Sequence, residues 1–391
     1  MFKNKLFAAV PIIAIVAIFI FSLTLFPSVQ PQPKNLPIAV VNEDEGVTIP
    51  GQPKMNIGQT MVEMIQQNTT TDDEDPVVKW IEVDAVEEMK KGLDEREYYA
   101  ALVIPKDFSA KQASLRTAAP TNPNVEIYIN QGMNMAAATM ANQILNGLVD
   151  SLNSNVRTQV LEGLSVQGAT LTVEQAAAIA VPIEKVVENV NETGENSASG
   201  NSPISLFQPI WIGSIATAAL LLFAASKTPL SSRKEKFMMK LGQIGISIVN
   251  AFIIGFGLTW FAGSMVGFTI PNFMDTALFL TITSFSFIMM ILAVLSYLGI
   301  KGIGIFVLLL FFGAPLLAMA PEMMSAFYRD WIYSWLPMRF MVDGLRELFF
   351  FGQGISWNTP TAILVSIAVV GLIVILLSAL LPNKLKEQEE A

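Results

Sequence analysis

Six stretches of the chain are apolar for about the 20 residues that a helix needs to cross a hydrocarbon core about 30 Å thick. They are Leu6–Phe26, Ile204–Ala225, Leu241–Val266, Thr276–Leu298, Ile303–Ala320 and Thr361–Leu381. The fifth is the shortest and holds Pro315, which predicts a kink or a half-buried course. The first follows the basic start Met1-Phe2-Lys3-Asn4-Lys5, an arrangement shared with cleaved signal peptides. Its length fits a full span and no small-x-small site follows it, so it reads as a retained span. Pro27, Pro31 and Pro33 then mark an extended exit.

Between the first two spans the pattern switches to short β-rich runs alternating with helical ones, the order of an α/β or α+β layer structure. Leu36–Asn42, Trp80–Val83, Tyr98–Ile104 and Val125–Ile129 read as strands, and Ile57–Gln67 and Ala85–Leu93 as helices covering one face of a small sheet. After Gln131 the helical period takes over: Met140, Ile144, Leu148, Leu152, Val156 and Val160 predict an amphipathic helix of about eight turns, a stalk or a surface for a second copy. A second helix is expected from Thr172 to Asn191, bent at Pro182, and Asn196–Ser202 reads as a flexible linker. The domains expected are thus residues 1–28 (start and first span), 29–203 (inserted domain: an α/β part 29–131, long helices 132–192, linker 193–203), 204–382 (five further spans) and 383–391 (tail). The fold class is a polytopic α-helical membrane protein with six transmembrane helices and an inserted extracellular α/β domain.

Lysine and arginine placement sets the direction. Lys3, Lys5, the loop 226–240 with Lys227, Arg233, Lys234, Lys236 and Lys240, then Lys301, Lys384 and Lys386 all fall on one side if every run spans. Both ends are therefore expected in the cytoplasm of a cell, a bacterial one by the cystine-free exposed domain. Arg329, Arg339 and Arg346 in the last outer loop break the pattern, each with an acidic neighbour within four positions. The stretch from Val29 to Ser205 holds 24 acidic and 11 basic residues, about −13, leaving about +4 elsewhere in a chain of net −9. That acidity keeps the domain soluble and argues against nucleic acid as a partner.

With 52% hydrophobic and 15% charged residues the composition is that of a membrane protein. Neither cysteine nor histidine occurs, which removes thiol nucleophiles, imidazole acid–base chemistry and the usual zinc ligands. No Gly-x-x-x-x-Gly-Lys-Ser/Thr is present, so nucleotide binding by a P-loop is excluded for this chain. Asp72-Asp73-Glu74-Asp75 lacks the alternating ligand spacing of a calcium loop and reads as a solvated cluster. Asn42-Glu43-Asp44-Glu45-Gly46, at a strand end, reads as a turn. No cofactor, metal site or enzymatic activity is expected.

One span, a large insertion and five further spans resemble the membrane subunit of an ABC-2 type exporter. Leu36-Pro37-Ile38-Ala39-Val40-Val41-Asn42-Glu43-Asp44-Glu45-Gly46 is similar to the opening of the YhgE/Pip group of that superfamily, and Tyr98-Tyr99-Ala100-Ala101-Leu102-Val103-Ile104-Pro105-Lys106-Asp107-Phe108-Ser109 resembles its second signature. Ile127-Tyr128-Ile129-Asn130 before a long helix fits as well, and Trp335-Leu336-Pro337-Met338-Arg339-Phe340 with Gly344-Leu345-Arg346-Glu347-Leu348 resembles the ABC-2 block between the last two spans.

The resemblance implies a permease that moves an amphipathic or lipid-like compound outward, powered by a separate cytoplasmic ABC ATPase, as a homodimer or a heterodimer with a related permease and in contact with membrane lipid. The same group includes a phage-infection protein and relatives of secretion-system components, so a surface receptor or secretion scaffold without transport is the alternative. Two segments carry the candidate chemistry. Ser231–Lys240 is basic and amphipathic, with Arg233, Lys234, Glu235 and Lys236 as candidates for coupling to the ATPase or simply as a positive-inside anchor. An outer amphipathic helix, 338–351, carries Arg339, Asp343, Arg346 and Glu347 on one stripe opposite Phe340, Met341, Leu345 and Leu348, with Trp331 and Trp335 as belt residues; it reads as an interfacial helix or an outer gate. Gly245, Gly255, Gly257 and Gly263 offer close helix approach, within the chain or between copies.

Overall fold

The computed structural model describes residues 33–48, 53–69, 76–117, 119–166, 170–229 and 232–380, with 15–16, 18–19 and 22–23. Apart from those few helical residues, the expected first span lies outside the described residues, as do Lys3, Lys5, Asp72–Asp75, Lys384 and Lys386. The described chain forms two compact units, one holding Pro31–Glu192 and Met319–Met324, the other the remainder.

The first unit is a five-stranded sheet of order β2-β1-β3-β4-β5, with β1 Leu36–Asn42, β2 Val78–Glu82, β3 Ala100–Ile104, β4 Asn124–Asn130 and β5 Glu184–Val190. Only the β3–β4 pair is antiparallel. The helices are α1 Ile57–Thr69, α2 Val86–Asp94, α3 Phe108–Ser114, α4 Met135–Val166 and α5 Val173–Ala180. They cover both faces of the sheet, which corrects the single covered face expected. On β1, Leu36, Ile38 and Val40 face one core with α1, α3, α4 and α5, while Ala39 and Val41 face a second with Met89 and Leu93 of α2. A strand buried on both sides must be apolar at successive positions, which is why β1 lacks the alternation of a half-exposed strand.

Three further expectations change. The 32-residue α4 is no free stalk: Ala137, Ala141, Leu145, Val149, Val156, Val160 and Leu164 lie in the core along its length. The helix expected to reach Asn191 stops at Ala180, and Glu184–Val190 instead pairs in parallel with β4 as an edge strand. Pro182 lacks the N–H and crowds the preceding turn, so it ends the helix rather than bending it, and the following Val186, Val187 and Val190 suit a strand. The segment 319–324, far along the chain, completes this unit: Ala320 and Met323 enter its core, and Tyr99 Oη donates to Glu322 Oε2 at 2.8 Å.

The second unit is helical and apolar, with α6 Phe207–Ser226, α7 Arg233–Trp260, α8 Phe273–Leu298, α9 Ile303–Ala318, α10 Pro337–Phe350 and α11 Thr359–Leu377. Among the described residues, four helical stretches have the length and composition to cross a membrane: Ser202–Ser226, Arg233–Val266, Phe273–Ala318 and Thr359–Leu380. The third holds both α8 and α9. Trp211 of α6 stacks edge-on to Phe287 of α8 at 4.9 Å, lies 6.1 Å from Phe306 of α9, and donates from Nε1 to Phe306 O at 3.0 Å. Nineteen residues of straight helix would separate Phe287 from Phe306 by about 28 Å, so the chain reverses at Gly299–Gly302 and the stretch is a helical hairpin.

Helix α8 is the axis of the unit, buried along most of Thr276 to Leu295 and exposed at both ends. Its neighbours approach closely where side chains are small. A Cβ on Gly371 of α11 would lie 2.8 Å from the Met289 carbonyl carbon, and one on Gly255 of α7 would lie 2.6 Å from Thr281 N. The Gly-rich α7 thus uses Gly255 within the chain, while Gly245 and Gly257 have nothing within reach. Buried hydroxyls bond back to their own helices, as Thr281 to Ala277 O and Thr283 to Phe279 O, and Gln243 Nε2 joins α7 to Leu221 O of α6 at 2.9 Å.

The expected flexible linker is ordered. Ser202 N bonds Ser197 O at 2.8 Å, Thr269 Oγ1 bonds Glu195 O at 2.9 Å, and Asn196, Ala198, Ser199 and Gly200 all hold positive φ. Four left-handed residues among five close a compact turn that polar composition alone does not reveal.

Gly255→Val is expected to lower the thermal midpoint of the detergent-solubilised chain, at a cost of about 2 kcal/mol from overpacking. Gly245→Ala, which meets no neighbour, is expected to leave the midpoint in place or raise it slightly.

Candidate functional site

Three polar constellations stand out. The first is in the α/β unit, at Asp44, two residues past the end of β1. Its Oδ1 accepts from Gly46 N at 3.2 Å and Ser109 N at 2.9 Å, and its Oδ2 accepts from Gly58 N at 3.0 Å and from the Ser109 hydroxyl. Ser109 Oγ in turn accepts from Ile57 N at 2.8 Å, and Asn56 Nδ2 donates to Asp44 O at 2.7 Å. One buried carboxylate therefore ties the end of β1 to the starts of α1 and α3. Gly58 permits the approach, since a Cβ there would lie 2.6 Å from Asn42 Oδ1. The segment expected to be a turn is thus a structural clasp, with its carboxylate consumed by four donors.

The second is the basic stretch expected as part of a loop, 226–240. Instead Arg233–Trp260 is one helix, and the loop ends at Ser232. Ser232 Oγ accepts from Glu235 N at 3.1 Å while Glu235 reaches back to Ser232 N, a capping box that starts the helix before its charges rather than after them. Arg233, Lys234, Glu235 and Lys236 therefore occupy the first turn of α7, with Glu235 engaged in the cap. Phe237 and Met238 are exposed beside them, while Lys240 turns in to donate to Ser296 Oγ of α8 at 3.0 Å.

The third is α10. It was expected as an interfacial helix or an outer gate carrying one polar stripe; in the structure nearly every side chain is buried, Arg346 at 7% and Glu347 at 4% exposure included. Its packing against α8, α9 and α11 closes both faces, and a Cβ on Gly344 would run into the Phe279 ring. The stripe survives as an ionic ladder. Asp343 lies 3.9 Å from Arg339 Nε and 3.6 Å from Arg346 Nη1, contacts too long for hydrogen bonds. Arg339 also covers the Tyr333 and Phe340 rings at 4.8 and 4.9 Å and points Nη1 at Ser334 O, 3.3 Å away. Glu347 accepts from Asn358 Nδ2, and Asn358 Oδ1 caps α11 through Thr361 N at 3.0 Å. Two guanidinia and two carboxylates leave the ladder neutral, the condition under which charges tolerate burial. Asn358 was not foreseen; its signal was the Asn-Thr-Pro start of the last apolar run. Trp331, Trp335, Trp260 and Trp357 are all exposed.

No described cluster of acidic residues could hold a metal ion. The three constellations are arranged to position helices, seat a partner or move.

A family model described as "ABC-2 family transporter protein" matches residues 5–380, taking in both units. The chain is 28% identical over 125 residues to the uncharacterized protein YhgE of Bacillus subtilis (strain 168), a match of 32% of this chain but 15% of that protein, so it spans a small part of that relative's length. A solved domain described as part of an ABC type-2 transporter from Thermotoga maritima MSB8 is 19% identical, covering 39% of this chain and 84% of its own, with a TM-score of 0.26.

Asp343→Asn strips both arginines of their shared carboxylate and is expected to cost about 2 kcal/mol in thermal unfolding of the solubilised chain. Asp330→Asn, in the exposed Arg329–Asp330 pair, is expected to leave the same midpoint unchanged.

Proposed function

The chain belongs to the ABC-2 family of transporter proteins, and we propose that it is the permease subunit of an exporter that moves an amphipathic or lipid-like compound outward. The observation that carries this reading is the single family match over both units in a sequence that has no P-loop. Energy then comes from a separate cytoplasmic ABC ATPase, the kind of partner the family implies.

On this reading the chain crosses the cell membrane of a bacterium six times. The hairpin of α8 and α9 supplies two crossings, α6, α7 and α11 one each, and the first apolar stretch the sixth, with both ends cytoplasmic and the α/β unit outside. Exposed Trp260, Trp331, Trp335 and Trp357 support it, because tryptophan favours the edge of the bilayer. The exposed apolar sides of α6, α7 and α11 suit contact with lipid or with the related permease of a homodimer or heterodimer. Arg233, Lys234, Glu235 and Lys236 receive the push of the ATPase: a rigid first turn continuous with a span transmits force better than a loose loop. Arg339, Asp343, Arg346 and Glu347 form the gate, whose movement exchanges ionic partners within a neutral ladder.

Reconstituted with its co-purifying ATPase, the chain is expected to raise ATP hydrolysis, and Lys234→Glu with Lys236→Glu to cut that stimulation by about tenfold through charge reversal at the contact. Transport by this chain without any ATPase, or stimulation untouched by the double substitution, would contradict the proposal.

A further inference from the structure

The α/β unit holds a cavity of about 480 Å³ between the start of α1, the end of α3 and the second half of α4. Its volume lies in the range of small-molecule sites. The Asp44 clasp fixes two of its walls, because Asp44, Ser109, Asn56 and Ile57 N form one hydrogen-bonded unit. The third wall is core helix, with Val156 and Val160 packed beneath.

Its lining is chemically divided. Ile57, Val156 and Val160 give an apolar floor, whereas Lys54 and Arg116 stand at the lining with no ion pair to a described residue. Two unpaired cations beside one cavity are unexpected on a body carrying about 24 acidic and 11 basic residues. Gln112 adds a third feature. Its Oε1 is buried at the lining and has no hydrogen-bond partner, a state that ordinarily costs stability unless a donor arrives.

We propose that this cavity binds a soluble amphipathic anion: a carboxylate or phosphate head between Lys54 and Arg116, a hydroxyl or amide donor at Gln112, and a short apolar chain over Ile57, Val156 and Val160. The proposal goes beyond the permease reading, since binding here requires no ATPase and would survive the failure of the coupling experiment.

N-octanoylglycine carries all three groups and serves as the probe, with the uncharged N-octanoylglycinamide as its control. Binding is measured by equilibrium dialysis to the full chain in phosphatidylcholine nanodiscs, against empty discs. The expected result is saturable binding of the acid, about tenfold weaker for the amide and weakened by salt. Arg116→Gln and Lys54→Gln are each expected to weaken it about fivefold; both side chains are exposed, so the thermal midpoint should stay in place. Equal binding of acid and amide, binding indifferent to both substitutions, or no saturable binding would overturn the proposal. Competition by phosphatidylglycerol added to the discs would overturn the assignment to a soluble anion in favour of a bilayer lipid.

Discussion

A helix enclosed along its middle by other helices has little face to give to solvent or lipid there, and its polar groups are left to find partners inside the protein. Helix α8 lives under that constraint, and the rest of the helical unit is arranged around it. Thr281 and Thr283 return their hydroxyls to their own helix, and Ser286 donates to Leu364 O of α11. Small side chains let α7 and α11 come to backbone distance at Gly255 and Gly371. Trp211 then fixes the hairpin by holding α8 and α9 against α6. Dispersion and close approach, rather than apolar burial from water, hold such a bundle together in a membrane.

The same constraint explains α10. Four charged side chains within one buried helix are tolerated because they neutralise one another and because Tyr333, Ser334 and Asn358 supply further partners. Such a buried ladder is a weak source of stability compared with apolar packing. A neutral ladder with long ionic contacts can exchange partners at little cost, which suits a moving part. The α/β unit works differently. It is a two-faced sheet whose loops are tied by one carboxylate, Asp44, and it draws 319–324 into its core from the far end of the sequence.

Much of this was legible in the residues. Apolar length located α6, α7, the α8–α9 hairpin and α11, because nothing else needs 20 uncharged apolar residues. Strand β1 was read to the residue, since Ile38, Val40 and Val41 are β-branched and suit a strand. What stayed hidden was mostly tertiary. Strand β5 is charged and exposed, and only its partner β4 makes it a strand. The burial of α10 could not be told from a surface helix, because its amphipathic stripe is the same whether the ions face water or one another. Glu235 is exposed and also half of a capping box, a role that was missed although Ser-x-x-Glu was there to see. Ser109 gave no sign of reaching Asp44, 65 positions away.

On the permease reading the α/β unit and the start of α7 lie on opposite sides of the membrane. The chain has no cysteine, so a single substitution gives a single reactive site. Ser154 on α4 and Lys227 after α6 are both exposed, and neither lies in a core. The most direct measurement labels intact cells with a membrane-impermeant maleimide after Ser154→Cys or Lys227→Cys. Labelling at 154 and none at 227 until the cells are opened is the predicted result. Labelling at 227 in intact cells, or protection at 154, would contradict it.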